Sequence, residues 1–194
     1  MKRLNAKKLR TPVLIVGGGP SGMTAALCLA ACGVSSIILE KRPILARHPK
    51  AHEISARSIE ILASLGISMP QMVKESSPNE DASRILFCRT LGEELGRIDL
   101  GAKDIAAKYA AHTHTERPYL NLSQTELEKI LRQKILAIKQ IRLLTGWDWR
   151  SLRQNADGVD SVAKETESGS ALEIHSQYLL CCDGAAGALS LIHI

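Results

Sequence analysis

The chain has 194 residues, enough for one full core or for one domain and part of another. Apolar residues make up 45% and aromatic residues only 3%, so a core must be built from Leu, Ile, Val and Ala. The net charge is +5, but Lys2, Arg3, Lys7, Lys8 and Arg10 carry five positive charges within the first ten residues, and the rest of the chain sums to zero. A folded basic face of the kind that grips nucleic acid is therefore excluded. The basic arm, residues 1–11, reads as a solubilising, poorly ordered extension, with a targeting function as the alternative. The five cysteines, Cys28, Cys32, Cys88, Cys181 and Cys182, are odd in number and contain no C-x-x-C pair. That excludes a disulfide framework and points to a reducing compartment, the cytoplasm.

The first element is the β-branched run Val13–Val16, suited to a strand buried on both faces. Gly17, Gly18, Gly19 and Pro20 follow. From Thr11 to Leu39 no residue is charged, and Leu29–Cys32 has the small-residue look of a lipoprotein processing site, so a membrane segment must be weighed. The glycines and proline exclude stable insertion. Each Gly costs a helix about 1 kcal/mol and an interior Pro about 3 kcal/mol, which splits the stretch into pieces too short to span a bilayer. Instead, Ser21–Cys32 reads as a helix closed by Gly33, with Cys28 and Cys32 as small core residues on one face, and Ser35–Glu40 as a second buried strand.

Strand, glycine turn, helix and strand make a βαβ unit. Within it, Gly17-x-Gly19-x-x-Gly22 fits G-x-G-x-x-G: the first Gly for a tight turn, the second for close approach of a pyrophosphate, the third for helix–strand packing. Gly18, Pro20 and Ser21 complete the turn, Ser21 as a donor to phosphate. The anion would lie at the helix N-terminus, where unpaired N–H groups and the helix dipole favour it. Glu40, 18 residues past Gly22, ends the second strand, where a carboxylate accepts ribose hydroxyls and repels a 2′-phosphate. NADP is disfavoured here; FAD and NAD both fit the residues. Lys41 and Arg42 follow as further candidate contacts.

Beyond the βαβ unit, Ser83–Leu100 reads as two strands joined near Gly92, and Gln124–Lys139 as an amphipathic helix with Leu127, Ile130, Leu131, Ile135 and Ile138 as its stripe. Ser123 and Glu126 fit a capping box at its start. Ile141–Gly184 reads as a β-meander with turns at Asp157-Gly158 and Ser168-Gly169. His112 and His114 read as surface histidines without a metal partner, and Trp147 and Trp149 as edge packing.

Four landmarks then resemble one family in order. After the glycine motif come Glu40-Lys41-Arg42, the loop Pro49-Lys50-Ala51 and the helix around Arg57–Leu62 closing on Leu65-Gly66; Gln124 stands in a Q-x-x-L-E helix; and Tyr178–Ser190 is similar to a strand ending in an Asp-Gly turn, here Asp183-Gly184. Gly187 replaces the usual Ser, Ser190 the usual Arg, and Lys50 a commoner Arg. This pattern resembles the single-component FAD-dependent aromatic-ring monooxygenases related to phenol and p-hydroxybenzoate hydroxylase.

The resemblance implies an α/β FAD/NAD(P)-binding, Rossmann-like three-layer fold with a parallel sheet and β-meander, plus part of an inserted substrate-domain sheet. Residues 12–75 and 118–188 would be the two parts of the FAD-binding domain and 76–117 the partial insertion. Residues 189–194 depart from the pattern, and members are roughly two to three times this length, so a truncated chain is expected, inactive by itself. Gln124 and Asp183 become expected FAD contacts. By the same resemblance NADH or NADPH donates electrons, and O2 adds at flavin C4a as a hydroperoxide that hydroxylates an aromatic, phenol-like substrate. An NAD-linked Rossmann oxidoreductase and a non-catalytic flavin-binding fragment are the alternatives. No catalytic side chain, metal site or oligomeric state is indicated.

Overall fold

A computed structural model describes residues 7–44, 51–78, 81, 84–90, 92–99, 107, 119–185 and 187. The chain divides into two compact units, Met1–His48 with Glu128–Ile194, and Pro49–Leu127. The histidine pair at 112 and 114, Pro49-Lys50, the first six residues of the arm and the 189–194 tail lie outside the described residues.

The first unit is built on a six-stranded sheet. Its strands are β1 (Lys7–Val16), β2 (Ser36–Glu40), β7 (Ile141–Thr145), β8 (Trp147–Asn155), β9 (Gly158–Glu165) and β10 (Ala171–Cys181), in the spatial order β7-β2-β1-β10-β9-β8. The pairs β7–β2, β2–β1 and β1–β10 are parallel; β10–β9 and β9–β8 are antiparallel. Helix α1 (Pro20–Ala31) crosses between β1 and β2.

Alternation along β1 and β2 divides the core. Leu14, Val16, Ile37 and Leu39 pack with Trp149, Ala163, Leu172 and Ile174 of the meander strands. Ile15 and Ile38 are fully buried and point the other way, and Ile15 lies against Gly22 of α1. Helix, parallel sheet and meander thus form three layers. Each such aliphatic side chain contributes about 1.5–3 kcal/mol on burial.

Three expectations are corrected. The arm does not end where the strand begins, because β1 starts at Lys7: Lys7–Thr11 pair with Leu172–Ser176, Lys8 forms an ion pair with Glu173 at 3.2 Å, and Leu9 packs on the core. The meander has three strands, since β7 joins the parallel edge beside β2 and Gly146, at φ +77°, turns the chain into β8. Cys28 and Cys32 are exposed. Gly22, Met23, Ala26 and Leu27 form the buried face of α1, and Cys28 lies about 140° round the helix from Met23.

The second unit contains β3 (Ile54–Ser55), α2 (Ala56–Ser64), α3 (Met69–Glu75), the hairpin of β4 (Arg84–Thr90) and β5 (Glu93–Asp99), and β6 (Tyr119–Leu120), which pairs with β3. The serines at positions 55 and 68 cap α2 and α3 by accepting the N–H of Ser58 and Gln71. Helix α4 (Gln124–Leu136) follows; Ser123 accepts the Glu126 N–H at 3.3 Å, as the capping box predicts. It ends three residues earlier than expected, where Ala137 and Ile138 donate to carbonyls three residues back. Among the described residues no helix is long and apolar enough to cross a membrane.

Candidate functional site

Register brings the chemistry to one edge. Val16 pairs with Leu39 and with Cys181, and Glu40 with Thr145, so the glycine turn, Glu40 and the Cys182–Gly184 turn all emerge at the carboxyl ends of parallel strands. In open α/β sheets ligands bind in the crevice outside those ends.

The glycines differ in what they do. Gly17 has φ +106°, donates to the Leu39 carbonyl at 2.8 Å, and a Cβ there would strike the Cys182 carbonyl. The third motif glycine, Gly22, lets α1 close on the turn, since its Cβ would strike the Gly17 carbonyl. Gly19 is the N-cap of α1, in extended conformation, and a Cβ there would meet nothing within 4 Å. Pro20 opens the helix, no side chain among the described residues caps it, and its first turn has no acid. Ser21 is exposed. The result is an open, positively polarised helix start.

Glu40 is bound inside the protein. Its carboxylate accepts the Gly18 N–H at 2.7 Å, the Arg42 N–H at 2.9 Å and the Arg42 Nε–H at 3.1 Å. A carboxylate offers about four acceptor positions, so one is left for a ribose hydroxyl. The acid therefore also fixes the glycine turn and aims Arg42. Lys41, between them, is held elsewhere, 3.4 Å from the Asp148 carboxylate on β8, which Arg150 also approaches at 2.9 Å. Lys41→Ala is expected to change flavin nucleotide affinity less than about twofold and stability by about 0–1 kcal/mol, because exposed pairs are weak; titration and melting of the variant check this.

At the end of β10 the Cys182 N–H donates to the Val16 carbonyl at 2.7 Å, which holds the Cys182–Asp183 peptide against Gly17. Gly184 has φ +83°, and the Gly187 N–H returns to its carbonyl at 2.9 Å. A Cβ on Gly187 would strike the Asp183 carboxylate, a physical reason for glycine where the resemblance has serine. Burial pushes the Cys181 and Cys182 thiols up, and the Asp183 carboxylate adds to it. Both are thus thiols rather than thiolates near neutrality. Alkylation of this pair is expected to stay slow at about pH 8 and to accelerate only above the ordinary thiol range. Rapid labelling at neutral pH, read by peptide mass spectrometry, would contradict it.

Gln124 belongs to the second unit, opens α4, and donates its backbone N–H to the Ala51 carbonyl at 2.8 Å. Arg57, in the same unit, forms an exposed ion pair with Glu60 at 3.0 Å. Sequence reasoning did not find a small open cleft in the first unit, lined among others by Gly18, Glu40, Arg42, Glu128, Arg132 and Thr145. The available signal was the spacing of Gln124, Glu128 and Arg132, one face of α4 at intervals of four. Among the described residues no cluster of His, Cys, Asp or Glu is arranged to hold a metal.

The family profile described as "FAD binding domain" matches residues 10–190. The chain belongs to the FAD binding domain family. It is 32% identical over 181 residues to 2,4-dichlorophenol 6-monooxygenase of Cupriavidus pinatubonensis, covering 93% of this chain and 30% of that protein. It is 31% identical to phenol 2-monooxygenase of a Pseudomonas species, covering 91% and 29%. The flavin-dependent monooxygenase PieE, solved in complex with FAD and substrate, superposes with a TM-score of 0.84 at 32% identity, over 96% of this chain and 32% of that one. The chain spans about 30% of the length of the curated relatives it matches.

The residues present fit the ADP half of FAD. The open space at Gly19 admits the pyrophosphate to the α1 N-terminus, and Glu40 keeps an acceptor position for ribose.

Proposed function

We propose that this chain is the FAD-binding portion of an NAD(P)H- and O2-dependent monooxygenase that hydroxylates an aromatic, phenol-like substrate. The observation that carries the reading is the open α1 N-terminus behind Gly19, set beside Glu40 and the Cys182–Gly184 turn. Its likeness to dichlorophenol and phenol monooxygenases over nine-tenths of the chain supports the substrate class.

The turn amides and Ser21 would hold the pyrophosphate, and Glu40 and Arg42 the adenosine ribose. Gln124 and Asp183 are further FAD contacts by resemblance. FAD, when bound, supplies the redox chemistry: one aromatic C–H, O2, NAD(P)H and a proton become a phenol, NAD(P)+ and water. The residues of this chain orient the cofactor and keep its nucleotide half fixed.

Cofactor choice tests the reading. FAD titrated into the purified chain is expected to show quenched flavin fluorescence and saturable binding; binding of NADH with no response to FAD would favour an NAD-linked oxidoreductase and overturn it. In the polypeptide isolated from its source, phenols are expected to stimulate NADH or NADPH oxidation with formation of a hydroxylated ring. Flavin reduction without any hydroxylated product would overturn the substrate class and favour a non-catalytic role.

A further inference from the structure

We propose that Arg132 of α4 is a positioning residue for the base of the bound nucleotide, forming a wall of the adenosine pocket opposite Glu40. The inference rests on the FAD reading above. Arg132 lines the same cleft as Gly18, Glu40, Arg42, Glu128 and Thr145. It is half-buried, and among the described residues its guanidinium makes no hydrogen bond or ion pair. Guanidinium carries five N–H donors and stays charged, so a half-buried one without a protein partner is a group that a ligand can satisfy.

The cleft adjoins Glu40, the ribose-binding end of the site, and it is also lined by the buried Glu128 one helical turn before Arg132. Two carboxylates beside it disfavour a further phosphate. A neutral purine suits the place better: its ring face accepts a guanidinium by cation–π attraction, and its ring nitrogens accept N–H donors. Arg42 is already held by Glu40 through Nε, which leaves Arg132 as the arginine able to adjust to the base.

The test uses the 194-residue chain, FAD and ADP as probes, and the variants Arg132→Ala and Arg132→Lys. Arg132→Ala is expected to weaken FAD and ADP by the same factor, about tenfold, while the ligand-free melting temperature stays put. Arg132→Lys recovers little, because the planar face is lost. Wild-type binding with an unchanged Arg132→Ala affinity overturns this inference alone, as does a full rescue by lysine. A drop in ligand-free melting that matches the affinity loss assigns Arg132 to the fold instead. A wild-type chain that binds neither FAD nor ADP sinks the cofactor reading and this inference with it.

Discussion

Gly19→Val is expected to leave the fold in place and to remove the proposed flavin nucleotide binding. A Cβ at Gly19 meets nothing of the protein within 4 Å, and its backbone is extended, a conformation valine adopts readily. The cost to the fold is a poorer N-cap, about 1 kcal/mol, which for a chain of this size lowers the melting temperature by about 2–4 °C. The ligand meets a different outcome. On the proposed reading, the isopropyl group would fill the space through which a pyrophosphate reaches the start of α1. Hydrogen bonds to charged groups are worth about 1.5–3 kcal/mol each, so losing two raises the dissociation constant a hundredfold or more. Calorimetric titration with FAD beside a melting curve checks both halves. A variant that melts normally and binds FAD normally would remove the phosphate from this turn.

Gly17→Ala fails for the opposite reason. Here the obstruction is the protein itself. An alanine must hold φ near +106° and place its methyl into the Cys182 carbonyl. Strain of about 1–3 kcal/mol in the backbone adds to an overpacking cost of similar size. The turn and the Cys182–Gly184 segment must part, so stability falls by about 3 kcal/mol or more and melting by roughly 10 °C. Because the Gly17 N–H also closes on Leu39, FAD affinity is expected to fall together with stability. Denaturant melts of the ligand-free chain decide the matter; an unchanged midpoint would show that the turn does not depend on glycine here.

The βαβ unit was legible because local rules dictate it. Three glycines and a proline admit one kind of structure, and from Thr11 onward no residue is charged until Glu40. The early start of β1 was hidden because Lys7, Lys8 and Arg10 read as a solvated arm, although Leu9 between two basic residues already showed strand alternation. The same period of two could have separated Lys41 from its neighbours: Glu40 and Arg42 share a side at the strand end, and Lys41 faces Asp148. The place of β7 was not legible. Ile141–Thr145 suits a meander or a parallel edge equally, and the choice is made by β2, a hundred residues earlier. The cysteines of α1 misled because a helix that is apolar all round gives no stripe from which to read its inner face. The α4 wall of the cleft needed the packing of distant segments, which spacing alone does not supply.

The most direct test of the central claim is a titration of the isotope-labelled chain with FAD, followed by amide resonances. The largest shifts are expected at Gly19, Ser21 and Gly22, with a second group at Glu40 and Arg42. Saturable binding that leaves the first three unmoved would contradict the placement of the dinucleotide at the start of α1.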